Sequence, residues 1–378
     1  MSLRLALLTT NLAPGGAETQ VVRLAVEMRR RGWRVAVVSL LPPSAFITEL
    51  EDAGVEVHSA DMRPGAAELR GLARVVAILA RFRPQVVHSH MFHANVAARV
   101  ARLVCPVPAL VATLHSAAES RRRGGGLRAR DLVYRFTRPL GDAVVAVSRA
   151  AGERHVAAGA VSRRKLRVIP NGVDTSVFRP DAERRSATRR SLGLKDGEFA
   201  WLAAGRLMWK KDYPTLLEAF AAVRGGVLLI AGEGPREAGL RALAVELNVN
   251  ARFLGHRDDL PALMNAADAF VLSSVVEGLP VVLLEAAASG LPAVTTDAGG
   301  SPEVVEEGRT GWVVPCGNVK ALAAAMSRLA GLPPEERERM GLASRERALA
   351  EFEFAAVAAR WERLYRELLE ARGAALWT

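Results

Sequence analysis

Short apolar, β-branched runs alternate along this chain with longer segments whose apolar positions return every three or four residues. In the first half the runs fall at 4–8, 34–40, 55–58, 85–88, 109–114, 143–147 and 166–169, with amphipathic helical patterns at 17–31, 66–82 and 94–103 between them. This alternation predicts a parallel sheet with helices on both faces, and ligands at the carboxyl ends of its strands. A second series has runs at 199–203, 227–230, 251–254, 269–272, 292–296 and 312–314. Between the two, over 171–194, the pattern lapses. There Pro170-Asn171-Gly172 signals a turn, and Phe178-Arg179-Pro180 leads into a charged stretch that reads as a linker. The expected α/β organisation is two successive Rossmann-like domains, 1–180 and 181–353. A last helix, about 354–371, has no strand after it and is expected to pack back on the first domain.

Composition adds bounds to this picture. A chain of 378 residues exceeds one compact core and suits two domains. Half its residues are hydrophobic and 5% aromatic, so the cores are aliphatic. No apolar run reaches the ~18 residues of a membrane-spanning helix. The N-terminus enters a strand pattern directly, without a signal-peptide cleavage region. Cys105 and Cys316 lie outside any metal or redox spacing, which fits reduced thiols and a cytoplasmic setting. The net charge of +11 is uneven: 27 basic against 13 acidic residues over 1–180, then 24 against 27. A basic first half implies an anionic partner: nucleic acid, an acidic membrane face or a phosphorylated acceptor. No aromatics interleave with the basic residues and no helix-turn-helix or zinc spacing is present, which weighs against nucleic acid. Arginine richness is also what a biased genome composition produces.

The chemistry concentrates in 273–290. After the apolar run at 269–272, Gly278 and Pro280 break the pattern and 281–288 reads as a helix. Proline suits a helix's first turn. Glu277 precedes that turn and Glu285 lies within the helix, roughly 10 Å along at ~1.5 Å per residue. Between them lie free N–H groups that favour an anion. A ligand with a polar group, a diphosphate and a second polar group in line fits this spacing, and a nucleotide-sugar has that form.

Other strand ends carry weaker signals. Pro14-Gly15-Gly16-Ala17 follows the first strand and lets the backbone approach a ligand, but it is not the Gly-x-Gly-x-x-Gly pattern of dehydrogenases. His88, His90 and His93 cluster at a strand end. Two imidazoles on one strand face could hold a metal, but without acidic or cysteine ligands nearby, lining a cleft or satisfying buried hydrogen bonds is favoured. His115 ends a strand at the ligand edge, so functional and structural readings both stand. Arg206, in Gly205-Arg206-Leu207, and Lys211 place two cations after the first strand of the second series, where they could neutralise a diphosphate leaving group. A solvated Lys-Lys-Asp turn is the alternative, and chemistry alone does not separate Lys210 from Lys211. Gly232-Glu233-Gly234-Pro235, Gly255-His256-Arg257 and Gly299-Gly300-Ser301-Pro302-Glu303 close three further strands. The segment 120–130, with three arginines and three glycines in succession, reads as a mobile loop.

Taken together these residues resemble family 4 of the retaining glycosyltransferases of GT-B fold. Glu277-Gly-Leu-Pro…Glu285 matches that family's E-x7-E motif. Pro14-Gly15-Gly16, His88-Ser89-His90, Thr113-Leu114-His115, Val147-Ser148, Pro170-Asn171-Gly172-Val173-Asp174, Gly205-Arg206-Leu207 with Lys211, Gly232 to Pro235, Leu254-Gly255 and Gly299 to Glu303 follow in family order over nearly the whole chain. The resemblance implies two facing Rossmann-like domains, the first for the acceptor and the second for a nucleotide-sugar. It implies that Arg206 and Lys211 hold the diphosphate, Glu285 the ribose and the Gly255–Arg257 loop the base. Glu277 with the backbone of Gly278, Leu279 and Pro280 would hold the donor sugar. Gly15 and Gly16 would close over the phosphates, and His115 would lie beside the reacting sugar. Glu277, His115, Arg206 and Lys211 are thus the catalytic candidates. Transfer is expected with retention and without metal or other cofactor; no Asp-x-Asp triad is present.

The acceptor is less defined. Members of the family act on lipid-linked diphosphate sugars, lipopolysaccharide, inositol phosphates, malate and sucrose precursors. The basic first half, with Arg121–Arg123 and the 127–140 stretch, suits an anionic membrane face. That favours a hexosyl transfer from a UDP-sugar to a lipid-linked saccharide in cell-surface polysaccharide synthesis, by an enzyme peripheral to the inner face of the cytoplasmic membrane. The alternatives are a small soluble acceptor, an epimerase or hydrolase of the nucleotide-sugar, and a non-catalytic nucleotide-sugar or nucleic-acid binding protein.

Overall fold

A computed structural model describes residues 2–64, 68–116 and 127–373 of the chain. They divide into two compact units. One runs to Pro170 and includes the residues from Ala355 onward; the other is Asn171–Phe354.

The first unit has seven strands: β1 (Arg4–Thr9), β2 (Arg34–Ser39), β3 (Glu56–Ser59), β4 (Val86–His90), β5 (Ala109–Leu114), β6 (Ala143–Ala146) and β7 (Leu166–Val168). Their order is β3-β2-β1-β4-β5-β6-β7, and every pairing is parallel. The second unit has six: β8 (Ala200–Ala204), β9 (Val227–Ala231), β10 (Ala251–Gly255), β11 (Ala269–Leu272), β12 (Ala293–Thr296) and β13 (Gly311–Val314). They form an all-parallel sheet in the order β10-β9-β8-β11-β12-β13.

The sequence dictates this arrangement through burial. Central strands covered on both faces are apolar throughout rather than alternating, and Leu5–Leu8 and Val35–Val38 are fully buried. The covering helices show one apolar stripe each. In Gly16–Arg30 the buried residues include Val21, Val22, Leu24, Ala25 and Met28, the spacing of a helix face. In the second unit, Trp201, Leu228, Ile230, Val271 and Val294 meet Leu216, Leu217 and Phe220 of one helix and Leu322, Met326 and Leu329 of another. In each sheet the strand order reverses once, between β1 and β4 and between β8 and β11. A parallel sheet opens a ligand crevice at that point, beyond the strands' carboxyl ends.

The helix Phe354–Glu370 belongs, from Ala355 on, to the first unit. Its buried face is Val357, Ala358, Trp361, Leu364, Tyr365 and Leu369. Tyr365 packs edge-on against Trp33 at 5.8 Å, and Glu362 accepts hydrogen bonds from Trp33 Nε1 at 3.2 Å and Arg31 Nη1 at 3.4 Å.

Three expectations need correction. The first unit ends at Pro170, so residues 171–180 belong to the second. Polar groups of the second unit satisfy that extended backbone: Asn265 Nδ2 donates to Arg179 O at 3.0 Å, Arg345 Nη1 to Phe178 O at 3.1 Å, and Val173 N to Phe352 O at 2.8 Å. The helix expected at 66–82 is Leu69–Phe82, and 65–67 lie outside the described residues. Of the loop expected at 120–130, residues 120–126 likewise lie outside them, whereas 127–130 open the helix Leu127–Thr137.

Trp361 is 6% exposed, so Trp361→Ala leaves a cavity under the last helix. The expected cost is about 3–5 kcal/mol to the first unit, read as a lower urea midpoint for that unit alone. An unchanged unfolding curve would show that the helix does not hold the unit together.

Candidate functional site

The carboxyl rim of the second sheet is a set of strand-end loops joined backbone to backbone. Gly232 N donates to Gly255 O at 2.7 Å, which ties the loop after β9 to that after β10. Gly205 N donates to Ala231 O and Leu207 N to Glu233 O, both at 2.9 Å, which ties β8 to β9. Val275 N donates to Lys210 O at 2.9 Å and Ser273 Oγ to Lys211 O at 2.8 Å, which ties β8 to β11 across the switch point. Gly300 N donates to Gly278 O at 2.8 Å, and Thr296 Oγ1 to Ser274 O at 2.5 Å, which ties β11 to β12. The glycines are what permit this closeness. A Cβ on Gly232 would stand 2.2 Å from Gly205 O, and one on Gly299 2.2 Å from Glu277 O. Gly299 also has φ +55, a left-handed conformation that favours glycine.

At the centre of the rim, Lys211 Nζ donates to Glu277 Oε1 at 2.7 Å, and Ser274 Oγ donates to the same oxygen at 2.7 Å. Both charged side chains are largely covered, at 14% and 12% exposure. The structure therefore separates the two adjacent lysines: Lys211 meets Glu277, and Lys210 supplies a backbone carbonyl. Lys211 ends a 3-10 turn, Trp209–Lys211, and left-handed Asp212 (φ 47) redirects the chain into the helix Tyr213–Ala221. Tyr213 is buried and its hydroxyl donates to Gly205 O at 3.0 Å. Burial, and then the charge of Glu277, pushes the Tyr213 phenol above its usual range, so it stays a proton donor.

Around this pair lie the other expected donor residues. Gly278 and Leu279 form the turn after Glu277, steadied by Asn171 Nδ2 donating to Leu279 O at 2.8 Å. Pro280 caps the helix Val281–Ala288, whose start therefore opens beside the pair, and Glu285 is buried within it. Arg206 is exposed just beyond β8. Gly255 has φ +67, and Arg257 spends its fork on Asp259, through Nε at 2.7 Å and Nη2 at 2.6 Å. At that loop the peptide groups, rather than the guanidinium, are left to meet a ligand.

The first unit has its own rim. Gly15 is the N-cap of the helix Gly16–Arg30, after β1. His88 and His90 come from β4, and His115 follows β5. His88 Nδ1 meets Tyr365 Oη and His88 Nε2 meets Thr113 Oγ1, each at 2.6 Å. His90 Nδ1 meets His115 Nε2 at 2.9 Å. Trp361 covers His88, with ring centroids 4.5 Å apart. Burial holds all three imidazoles well below their ordinary range, and neighbouring imidazoles add to it for His88 and His90; His115 is brought to about 4. All three are neutral at pH 7. His93 does not join them: it lies exposed on the helix Phe92–Ala101, with its ring against that of Phe92 at 5.3 Å. Among the described residues no group of three or more His, Cys, Asp or Glu side chains is placed to hold a metal ion.

Sequence reasoning missed Tyr213, Ser274, Trp361 and Tyr365. Trp361 and Tyr365 carried a signal, being aromatics four residues apart and hence on one helix face. Tyr213 and Ser274 carried none beyond proximity to Lys211 and Glu277.

Two consequences are measurable. His115 binds fewer protons folded than unfolded between about 4 and 6.5. Its contribution to the first unit's stability is therefore complete above pH 6.5 and lost as pH falls toward 4, and thermal unfolding against pH should show the decline, flattened by His115→Asn. Gly299→Ala should destabilise the second unit by about 1–3 kcal/mol in urea. Gly308→Ala, also left-handed at φ +73 but with nothing within 4 Å of its Cβ, should cost less.

Comparison with known proteins bears on the whole chain. Residues 14–177 match Glycosyltransferase Family 4 and residues 184–347 match Glycosyl transferases group 1. The alpha-maltose-1-phosphate synthase of Mycolicibacterium smegmatis is 30% identical over 97% of this chain and 100% of its own length. The UDP-Gal:alpha-D-GlcNAc-diphosphoundecaprenol alpha-1,3-galactosyltransferase of Escherichia coli is 27% identical over 69% of this chain and 70% of its own. A GDP-mannose-dependent alpha-(1-6)-phosphatidylinositol monomannoside mannosyltransferase of Mycobacterium tuberculosis is 34% identical over 52% of this chain, which spans about half of that relative, 54%. The crystal structure of Anabaena HepE in complex with UDP superposes with TM-score 0.85 at 23% identity, over 97% of this chain and 100% of that one. With two parallel α/β sheets in the arrangement of such structures, and both halves matched in order, the chain belongs to the family 4 glycosyltransferases of GT-B fold.

Proposed function

We propose that this glycosyltransferase moves a hexosyl unit from a UDP-sugar to a hydroxyl of a lipid-linked saccharide, with retention and without a metal. The Lys211–Glu277 pair at the switch point of the second sheet carries the reading. Lys211 keeps further N–H donors for a phosphate oxygen after serving Glu277. Arg206 adds a second cation and the helix Val281–Ala288 a third partial charge, so the diphosphate leaves against preorganised positive charge. Glu285 takes the ribose hydroxyls, and the Gly255–Arg257 loop the base. Both hydrogen bonds of the Glu277 carboxylate fall on Oε1, so Oε2 is the oxygen that polarises a sugar hydroxyl.

The bond changes are these. The anomeric carbon–oxygen bond to the diphosphate breaks, and its electron pair stays on the phosphate. The acceptor oxygen bonds to the anomeric carbon on the same face, and its proton passes to the departing phosphate oxygen. His115 stays neutral, and its Nδ1 is buried without a hydrogen-bond partner among the described residues. The two relatives that act on a diphosphoundecaprenol-linked sugar and a phosphatidylinositol mannoside support a lipid-linked acceptor. The basic first half supports peripheral contact with the inner face of the cytoplasmic membrane. Arg121–Arg123, expected to take part, lie outside the described residues. Among the described residues no helix is long and apolar enough to cross a membrane. The end-to-end match to alpha-maltose-1-phosphate synthase favours a second reading, a small soluble acceptor.

The test pairs a thermal-shift panel of UDP, GDP and ADP with product analysis by NMR. Stabilisation by UDP above the others is expected, together with a product of unchanged anomeric configuration formed in the presence of EDTA. Lys211→Ala and Glu277→Ala should each lower kcat by about 10²–10³-fold. A glycosyl adduct trapped on Glu277 overturns same-face attack. Turnover of the UDP-sugar with no acceptor present makes the enzyme a hydrolase or epimerase.

A further inference from the structure

The Lys211–Glu277 pair is tied to a residue of a third strand, Thr296, the last of β12. The link runs through Ser274, which is fully buried just after β11. The Ser274 hydroxyl donates to Glu277 Oε1 at 2.7 Å. Its carbonyl, part of the peptide group shared with Val275, accepts from Thr296 Oγ1 at 2.5 Å. The N–H of that same peptide group donates to Lys210 O at 2.9 Å. One peptide group is therefore held at both ends, by a β12 hydroxyl on one side and by the lysine turn on the other. With that plane fixed, the freedom left to the Ser274 hydroxyl is rotation about its Cα–Cβ bond, and Glu277 lies only three residues further along the same loop.

The core does not ask for a hydroxyl at this position. Thr296 is 1% exposed, on a strand that begins Ala293-Val294, and valine would fill the same space. A buried hydroxyl is costly unless it is hydrogen-bonded. The other acceptor in reach of Thr296 Oγ1 is Leu272 O at 3.5 Å, a distance at which a hydrogen bond is weak. Ser274 O is thus the partner that accounts for the hydroxyl. Cys316 Sγ reaches the same oxygen at 3.5 Å, but a thiol is a weak donor. The main support of the Ser274 carbonyl is therefore Thr296.

We propose that Thr296 is a positioning residue for the donor sugar: through the Ser274 carbonyl it fixes the Ser274 hydroxyl, and through that hydroxyl it sets the direction of Glu277 Oε2. This rests on the reading of Glu277 as the carboxylate that polarises a sugar hydroxyl. Thr296 acts through Ser274 and not by touching the sugar. The diphosphate contact does not pass through it, because Lys211 has its own supports: Ser273 Oγ donates to Lys211 O at 2.8 Å, and Lys211 N to Met208 O at 3.0 Å. Loss of the Thr296 hydroxyl is accordingly felt in the binding of the sugar and not in that of UDP.

The test titrates UDP, UDP-glucose, UDP-galactose and UDP-N-acetylglucosamine into wild type by calorimetry, and carries forward UDP and the UDP-sugar that binds most tightly. Thr296→Val should weaken the UDP-sugar by about fivefold, the order of one hydrogen bond, and leave UDP within about twofold. Thr296→Ser restores the hydroxyl and should bring the UDP-sugar back to within about twofold of wild type. In a Ser274→Ala background, Thr296→Val should remove less than about twofold more, because the two residues act along one path. Thr296→Cys puts a weaker donor in the same place and should fall between threonine and valine, which keeps the test decisive if the valine variant does not fold. Undiminished binding of the UDP-sugar by Thr296→Val and Thr296→Cys, with Glu277→Ala weakened, overturns the role of Thr296 and leaves that of Glu277 standing. Equal weakening of UDP and UDP-sugar also overturns it, since the rim as a whole would then be disturbed. If wild type binds none of the three UDP-sugars, or Glu277→Ala binds as tightly as wild type, the reading of Glu277 falls and this one with it.

Discussion

One ion pair sets the terms for the second unit. Lys211 and Glu277 come from loops 66 positions apart, after β8 and β11, and meet because those strands are neighbours only where the sheet's order reverses. A largely covered ammonium and carboxylate are each expensive to desolvate, and the pair is tolerable because they meet each other at 2.7 Å and the Ser274 hydroxyl donates to the same carboxylate oxygen. The rim glycines serve the same end. They bring five strand-end loops within hydrogen-bonding distance, so the carboxylate and the ammonium rest on fixed backbone rather than on flexible turns. Charges held on fixed backbone need little reorganisation to meet a ligand's charge.

The first unit solves a different problem. Its rim buries imidazoles instead of an ion pair, and burial keeps them neutral. His88 is held between Thr113 and Tyr365, and His90 against His115, so the orientation of His115 depends on a chain of contacts that ends on the last helix. That helix is thus more than an appendage: Tyr365, Trp361 and Glu362 bind it to β4 and to Trp33 and Arg31. The opposite end of the same sheet, where β5, β6 and β7 begin, gathers cations around the Asp142 carboxylate, and there Arg99 Nε and Nη2 are buried without a hydrogen-bond partner among the described residues. The basic excess of the first half is therefore partly a built cluster, not only a solvated surface.

What the sequence determined by itself was the class of fold and the strand ends at which the candidate residues lie. Fully apolar runs of strand length, separated by amphipathic helices, admit little other than buried parallel strands, and both sheets follow from that. Glycines and charges at successive strand ends marked the rim, because strand ends in such sheets are where ligands bind. The tertiary structure decided what spacing could not. Strand order brought the loop of Lys210 and Lys211 against that of Glu277, and the 3-10 turn Trp209–Lys211 put the Lys211 side chain on the carboxylate. Burial replaced His93 with His115 beside His88 and His90, because residues from different strands meet only across the sheet. Polar groups of the second unit claimed residues 171–180, whose turn-rich sequence is neutral between the two units. The pairing of Asp142 with Arg102 and Arg372, and the solitary fork of Arg99, depend on contacts between segments up to 230 residues apart, a distance over which no local pattern carries information.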